Sequence, residues 1–353
     1  MNVCIIGSGL VSLTLAKALV NQGIYVDLFS SKKLNEINKS RTIGISKNNI
    51  DFFNKDILDI RKLVWDINKI EIYSENFKKE KILDFVNPNK TLFSIVKNYE
   101  LYNSLFLSLK KNKFFSYKKQ NGVVPIQNYK LIVNCDSNNL VTKKYFQKKI
   151  KKNYNSFAHT TIINHKKLFK NKTAIQIFTK KGPLAFLPIS QFKTSVVYSA
   201  RGPKDFDLDS IIRKYNFNYK ITKINKQSSF ELSSINLRTY YFKNIMAFGD
   251  LLHKLHPLAG QGFNMSLRDI KLLINLIKFR LDHGLDLDSS ICIDFEKRIK
   301  HKNYLFSTGI DFVYEFFNFE SKINNSILSK SLKYFGKNQY ANKFFTKLAD
   351  NGI

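Results

Sequence analysis

The four apolar residues Val3-Cys4-Ile5-Ile6 run directly into Gly7-Ser8-Gly9, and Leu10 to Val20 then carry helical spacing until Gly23 supplies a stop. A short run that is apolar throughout suits a strand covered on both faces, so the opening reads as strand, tight turn and helix. Ile24 to Phe29 reads as the next strand, completing a β-α-β unit of the length that opens a doubly wound sheet. In such a unit the first glycine permits the turn and the second lets backbone approach a ligand. The helix N-terminus then offers free N–H donors and a positive dipole end. Gly7, Ser8, Gly9, Leu10 and Val11 are therefore the candidate phosphate bed of a dinucleotide. Ser12 replaces the third glycine of the G-x-G-x-x-G pattern, and Ser30 stands where an acidic residue normally bonds the adenosine ribose. A hydroxyl there makes a weaker hydrogen bond than a carboxylate would. The plain alternative is a glycine turn between strand and helix with no ligand at all.

At 353 residues the chain suits one large or two interlocked α/β domains. Residues from about Asn49 to Leu63 read as helix, while Ile70 to Tyr73 and Ile82 to Phe85 read as strands of a different, antiparallel sheet. The segment after Ser94 turns helical, with Val96, Leu101, Leu105 and Leu109 on one face, and Lys130 to Cys135 reads as a strand returning to the first sheet. Thr160 to Ile163, Thr173 to Phe178 and Thr194 to Tyr198 mark a β-rich second domain. Ile245 to Phe248 is another short strand, followed by helices that include Leu267 to Leu281 and the Phe-rich Leu305 to Phe319. The two domains are thus expected to interleave. One is built from 1–65, 91–150 and 236–353, the other from 66–90 and 151–235.

Cys4, Cys135 and Cys292 are widely spaced and form no CxxC pair, which argues against a disulfide framework or a cysteine zinc site and for a reducing cytoplasm. Met1 and Asn2 lead straight into the apolar run, so no secretion signal is expected, and no stretch is long and apolar enough to span a membrane. The formal charge of +31 raises nucleic acid or anionic lipid as partners. It is carried almost wholly by lysine spread along the chain, densest at Lys110 to Lys113 and Lys143 to Lys152. Arginine, the better reader of phosphate and base edges, is scarce, so nucleic acid is not expected and anionic membrane attraction stays open.

The most specific stretch is Phe248-Gly249-Asp250-Leu251-Leu252-His253-Lys254-Leu255-His256-Pro257-Leu258-Ala259-Gly260-Gln261-Gly262-Phe263-Asn264-Met265-Ser266-Leu267-Arg268-Asp269. An acidic residue ends a strand, a proline-anchored loop follows, and Gly-Gln-Gly opens a long helix. Such a turn lets backbone lie against a flat ligand while the helix end points positive potential at it. The segment resembles the GD and GQG motifs of the class A flavoprotein monooxygenases, most closely the ubiquinone-biosynthesis hydroxylases related to para-hydroxybenzoate hydroxylase.

Other segments are similar to the same family. They are Ser40-Arg41-Thr42-Ile43-Gly44-Ile45-Ser46, Trp65, Gly182-Pro183-Leu184-Ala185-Phe186-Leu187-Pro188, and a C-terminal pattern of Phe295, Arg298, Asn303 and Asp311. The resemblance implies a Rossmann-like FAD-binding domain interleaved with a smaller β-rich substrate domain and C-terminal helices. It implies FAD as cofactor, with NAD(P)H as reductant and O2 as co-substrate, and hydroxylation of an aromatic ring, that of a prenylated ubiquinone precursor. It implies that Gly249 and Asp250 hold the ribityl chain and that Pro257, Gly260, Gln261, Gly262, Phe263 and Asn264 cradle the flavin ring, with Pro257, Gly260 and Gln261 at the reacting edge. Arg41 and Asp136 fall beside the cofactor, and Leu187 and Pro188 beside the substrate. Quinone-biosynthesis proteins and a peripheral contact at the inner face of the membrane are the expected partners.

One motif departs from the family pattern. The D-G pair is Asp136-Ser137 here, with Lys143 near the usual Arg. This touches the NAD(P)H step more than flavin binding, so a weakened flavoprotein subunit or scaffold, or a flavin reductase or dehydrogenase of the same superfamily, remain alternatives. His253 and His256 form HxxH, but Pro257 follows and no third ligand is placed, so loop positioning is expected over metal. His159 and His165 are expected to be structural, and the Phe-rich stretch from Phe306 to be core.

Overall fold

Apolar runs that are buried on both faces pair in parallel, and the first sheet follows that rule. The computed structural model describes residues 2–31, 38–75, 81–86, 91–120, 124–255 and 261–323. Strands β1 (Asn2–Ile6) and β2 (Tyr25–Ser30) flank helix α1 (Leu10–Asn21). With β8 (Phe115–Lys119), β9 (Leu131–Asn134), β16 (Tyr241–Phe242) and β17 (Ile245–Ala247) they form a six-stranded sheet in the order β16-β17-β9-β1-β2-β8. All its pairs are parallel except the β16–β17 edge hairpin. Leu13, Leu15, Ala16 and Leu19 of α1 are fully buried, because the helix is covered by α3 (Asn98–Lys110) and α6 (Gln261–Asp282) as well as by the sheet. Each such leucine side chain contributes about 1.5–3 kcal/mol by leaving water.

A second, nine-stranded sheet runs β18-β15-β10-β13-β12-β11-β5-β6, with β14 (Ile221–Ile224) paired to β10. Its members are β5 (Lys69–Ser74), β6 (Lys81–Val86), β10 (Lys149–His165), β11 (Thr173–Thr179), β12 (Gly182–Pro188), β13 (Lys193–Arg201), β15 (Ser228–Leu237) and β18 (His253–Lys254). It is antiparallel except where β5 meets β11. One face packs Leu184, Phe186, Val196 and Tyr198 under Leu208 and Ile212 of α5 (Leu208–Tyr215). The other faces the first sheet's neighbourhood. A three-stranded sheet runs β3 (Thr42–Ser46), β7 (Phe93–Lys97), β4 (Val64–Ile67), with α2 (Lys47–Phe52) packed on β3 and β7; α4 (Leu140–Tyr145) follows β9 in sequence, and the long α7 (Ser289–Ile323) packs on α6, β16 and β17.

Two expected helices come out differently. The helix expected over Asn49 to Leu63 is α2 plus one π-turn, Phe53–Ile57, and Asn54 Oδ1 then accepts the Ile60 N–H, which satisfies the chain outside helical geometry. Val96 lies in β7 and the helix begins only at Asn98, since the neighbouring β-branched Ile95 and Val96 pair with β3 and β4 instead. Phe306 is buried as expected, whereas Phe312, six residues on, is 68% exposed.

Candidate functional site

Parallel pairing in register puts the carboxyl ends of β1, β2, β9 and β17 along one edge, where ligands of open α/β sheets bind. Cys135 donates its backbone N–H to Ile6 O, Gly7 donates to Phe29 O, and Phe248 donates to Asn134 O. Gly7 sits at φ +110°, and a Cβ there would lie 3.3 Å from Asp136 Cβ and backbone N. Gly249 sits at φ +62°, and a Cβ there would lie 3.0 Å from Val11 Cγ1. Both positions thus demand glycine twice over, by dihedral and by room. The two glycine segments, far apart in sequence, meet at the start of α1.

The bed these strands form is open. Gly9 caps α1 with no side-chain hydrogen bond and nothing within 4 Å of a would-be Cβ, and no acidic residue lies in the first turn. The first N–H groups of the helix are therefore available to an anion. Ser8 Oγ and Ser30 Oγ are 2.7 Å apart, which replaces the missing carboxylate by a hydroxyl pair. Asp250 is exposed at the head of a short 3-10 turn, Gly249–Leu251. Burial pushes the Cys135 thiol up to about 12, and the charges of Asp250 and Asp136 add to the shift, so both carboxylates flank this bed. The altered D-G segment is well ordered by its own side chains. Asn139 Oδ1 accepts the Thr142 N–H to cap α4, Thr142 Oγ1 donates to Asp136 O, and Asp136 Oδ1 accepts the Asn138 N–H.

Across from this edge, Ile72, Gln176, Ala185, Val197, Thr160 and Ser228 form one register row over six strands of the second sheet, on the face away from α5. Ala185, Val197 and Gln176 remain partly open, a mostly apolar wall with one amide. Strand β3 is stitched to this wall: Ser40 Oγ to Thr160 Oγ1 at 2.9 Å, Thr42 Oγ1 to Ser195 Oγ at 2.8 Å, and the Arg41 guanidinium 5.5 Å over the Phe230 ring. The start of α6 is stitched to β3 in turn. Asn264 accepts the Ser46 N–H and an Asn49 amide proton, and donates to Gly44 O. Bed, helix start and wall are thereby held in one arrangement.

A buried clamp joins β18 to α6. His253 Nε2 lies 2.7 Å from Asp269 Oδ2, with both side chains almost wholly buried, and Arg268 binds Asp269 Oδ1 at 2.9 Å and also reaches Asn303. Burial alone would raise the Asp269 carboxyl, but the hydrogen bond from His253 and the charges of His253 and Arg268 hold it below the usual range. Because His253 pairs with Asn236 in β15, the clamp also ties α6 to the second sheet.

The residues singled out from sequence fall as follows. Gly7, Ser8, Gly9, Leu10, Val11, Ser30, Asp136, Gly249 and Asp250 gather at the first sheet's edge. Gly262, Phe263 and Asn264 lie at β3, but the Phe263 ring is core, 6.5 Å from that of Phe53, and the Asn264 side chain is committed to β3 and α2. Leu187 packs with Trp65 and Phe93 on the open-wall side, while Pro188 falls at the opposite register position. Pro257 and Gly260 lie outside the described residues, and Gln261 is described only as the first residue of α6. His159 binds Ser229 at 2.8 Å on the α5 side, and His165 binds Thr194 and Lys166 O. The hydroxyl pair, the His253–Asp269 clamp and the wall's row join residues too distant in sequence for spacing to reveal them.

No family model matches the chain. It is 22% identical to the ubiquinone biosynthesis monooxygenase COQ6 of Dictyostelium discoideum, over 95% of this chain and 87% of that protein. It is 26% identical to 3-demethoxyubiquinol 3-hydroxylase of Escherichia coli strain K12, over 40% of this chain and 39% of that one. Among solved structures, p-nitrophenol 4-monooxygenase from Pseudomonas putida superposes with a TM-score of 0.80 at 12% identity, covering 99% of this chain and 98% of the other. HpxO of Klebsiella pneumoniae in complex with FAD and uric acid gives 0.73 at 11%, covering 100% and 96%. The chain is a relative of the ubiquinone-biosynthesis monooxygenases, and its fold is that of the class A FAD-dependent monooxygenases.

Proposed function

We propose that the chain binds FAD extended along the carboxyl edge of the six-stranded sheet and, with NAD(P)H as reductant and O2 as co-substrate, hydroxylates an aromatic ring. The ring is that of a quinone precursor, in a prenylated form that resides in the bilayer. The observation that carries this reading is the approach of Gly249 to Val11, which joins the two glycine segments into one bed. Asn264 ties the start of α6 to β3, and β3 in turn bonds the sheet that carries the partly open Ala185, Val197 and Gln176.

FAD when bound supplies the redox chemistry, and the chain's own residues bind, orient and exclude water. The N–H groups that follow Gly7-Ser8-Gly9, on Leu10 and Val11, take the pyrophosphate, and the Ser8–Ser30 pair takes the adenosine ribose. Asp136, Gly249 and Asp250 hold the ribityl side, with Arg41 between bed and wall. Pro257, Gly260, Gln261, Gly262, Phe263 and Asn264 line the ring through backbone, at the positive end of α6. Ala185, Val197 and Leu187 form the substrate wall, and Pro188 supports it from behind. Residues 1–65, 91–150 and 236–353 make the cofactor domain, and 66–90 with 151–235 the substrate domain. The protein works in the cytoplasm, with a peripheral contact at the inner face of the membrane.

The test supplies purified protein with FAD, NADH or NADPH, isotopically labelled O2 and a prenylated phenol, and reads the product by mass spectrometry. One labelled oxygen on the ring is expected. Turnover that continues unchanged without O2 would make the chain a reductase. A flavin that neither pyridine nucleotide reduces would point to a scaffold, the outcome that Ser137 in place of glycine would then explain.

A further inference from the structure

The densest basic run, Lys143 to Lys152, and the Phe-rich end of α7 play no part in the site above, yet the fold brings them together. β10 starts beside the end of β15: Arg238 donates its N–H to Lys148 O, and Lys149 pairs with Leu237. The same strand runs along α7, where Lys152 pairs with Glu315 at 3.0 Å and the Tyr154 hydroxyl reaches Asp311. Between them lies an open groove of about 840 Å³. Ile150, Leu237, Tyr240 and Tyr304 give it apolar and aromatic walls, and Arg238, Lys297 and His301 line its rim.

Within the groove cations outnumber acids: Arg238, Lys297 and Lys300 stand against Glu296, while Glu315 and Asp311 lie beyond it on α7 beside Lys152 and Tyr154. Glu296 is the groove's acidic residue, and it is engaged by Lys300 at 2.5 Å. Lys297, His301, Tyr304, Thr308 and Phe312 recur at helical spacing along one exposed stripe of α7. Large apolar side chains stand out beside the cations: Ile150 is 47% exposed, Leu305 57% and Phe312 68%. Isolated exposed apolar residues need no explanation, but a contiguous set rimmed by cations marks an interaction surface.

We propose that this face, the groove with the outer stripe of α7, docks on an anionic lipid surface. The cations lie at the headgroup phosphates, and Ile150, Tyr304, Leu305 and Phe312 enter the acyl boundary. Charge complementarity selects this occupant. Residues 324–353 carry Lys330, Lys333, Lys337, Lys343 and Lys347 against the single acid Asp350, so like charge disfavours the chain's own end as the occupant, and a second copy equally. Nucleic acid has no use for exposed Leu305 and Ile150. Among the described residues no helix is long and apolar enough to cross a membrane, so the contact is peripheral. The inference deepens the proposed function by naming the face through which a bilayer-resident substrate is met.

Co-sedimentation of the FAD-loaded full chain tests it, with vesicles of phosphatidylcholine alone and of equal parts phosphatidylcholine and phosphatidylglycerol. Binding only to the mixed vesicles, weakened by salt, is expected. Each cation near such a surface is worth roughly fivefold, so Arg238→Glu with Lys297→Glu should weaken binding by more than about twentyfold. Lys110→Glu with Lys113→Glu, at the opposite β8 edge, should weaken it by no more than about twofold. Leu305→Ser with Phe312→Ser should cost about tenfold at unchanged charge. The proposal falls if the β8-edge pair weakens binding as much as the groove pair, if neither groove variant matters, or if RNA displaces the protein from vesicles. It also falls if the groove variants abolish a dimer seen by ultracentrifugation while vesicles go unbound. FAD uptake by the same preparations is scored separately: its failure would overturn the hydroxylase reading, whereas lost selectivity for this face with FAD retained overturns only the docking surface.

Discussion

The carboxyl edge of the parallel sheet and the open wall of the second sheet are built by different means. At the edge, backbone does the work: Gly7 and Gly249 hold dihedrals that favour glycine, and helix N–H groups stand open beyond Gly9. At the wall, side chains set the shape, and which of them face inward follows from long-range pairing such as Ala185 with Val197 and Val197 with Thr160. A site made of backbone tolerates almost no substitution yet is indifferent to substrate, whereas a site made of a register row can change its specificity one side chain at a time.

The sharpest break of this contrast is Gly9→Asp. Nothing lies within 4 Å of a Cβ there, so the chain should fold, with a melting temperature within about 2 °C of wild type. A carboxylate at the helix N-terminus would occupy the anion's place, and the Kd for FAD should rise about a hundredfold by fluorescence titration. Loss of folding, or FAD binding at wild-type affinity, would each contradict a bed made of open backbone.

The joint between the two regions comes next. His253→Ala leaves Asp269 buried with Arg268 alone and should cost about 3 kcal/mol in denaturant unfolding, with weaker FAD uptake because α6 loses its tie to β18. The sign of the acid dependence follows from the depressed Asp269 carboxyl. Its contribution is complete above the unfolded pKa of about 3.9 and is lost as pH falls from there toward the lower folded value. Asp269→Asn should flatten that part of the acid-unfolding curve, and an unchanged curve would show that the clamp carries no charge-linked stability.

A smaller effect, confined to the wall, is expected of Ala185→Phe. The added ring projects from the open row, so kcat/KM for the aromatic substrate should fall by about tenfold while FAD affinity stays within about twofold. Equal losses in both would mean that wall and bed are not separable. Smallest is Ser30→Glu, which restores an acid at the end of β2 and should tighten FAD by roughly fivefold through a charge-assisted bond to the ribose. Weaker binding would instead assign the Ser8–Ser30 pair a role that the carboxylate cannot take over.

The same contrast explains what could be read from the sequence. The β-α-β opening, the turn at Gly249 and the helix from Gln261 were legible because glycines and apolar runs state local backbone needs directly. The edge strand Phe115–Lys119 is too short and too lysine-flanked to stand out in the sequence, although Phe115 and Tyr117 alternate with Ser116 and Lys118; parallel pairing with β2 makes it part of the sheet. Val96 was assigned to a helix because its spacing fits one, and two strand partners overrode that preference. The motif marks Asn264 without showing what its side chain does, which is to tie α6 to β3, where Ser46 lies 218 residues away in sequence. Leu187 and Pro188 looked equivalent as neighbours, and strand alternation divides them between two faces.

One continuous bed is proposed to take FAD. The direct measurement is a titration of the purified chain with FAD, followed by flavin fluorescence and visible absorption, with Gly9→Asp in parallel. One FAD per chain at micromolar affinity or tighter is expected for wild type, with loss in the variant at unchanged stability. A folded wild-type chain that stays colourless with excess FAD would contradict it.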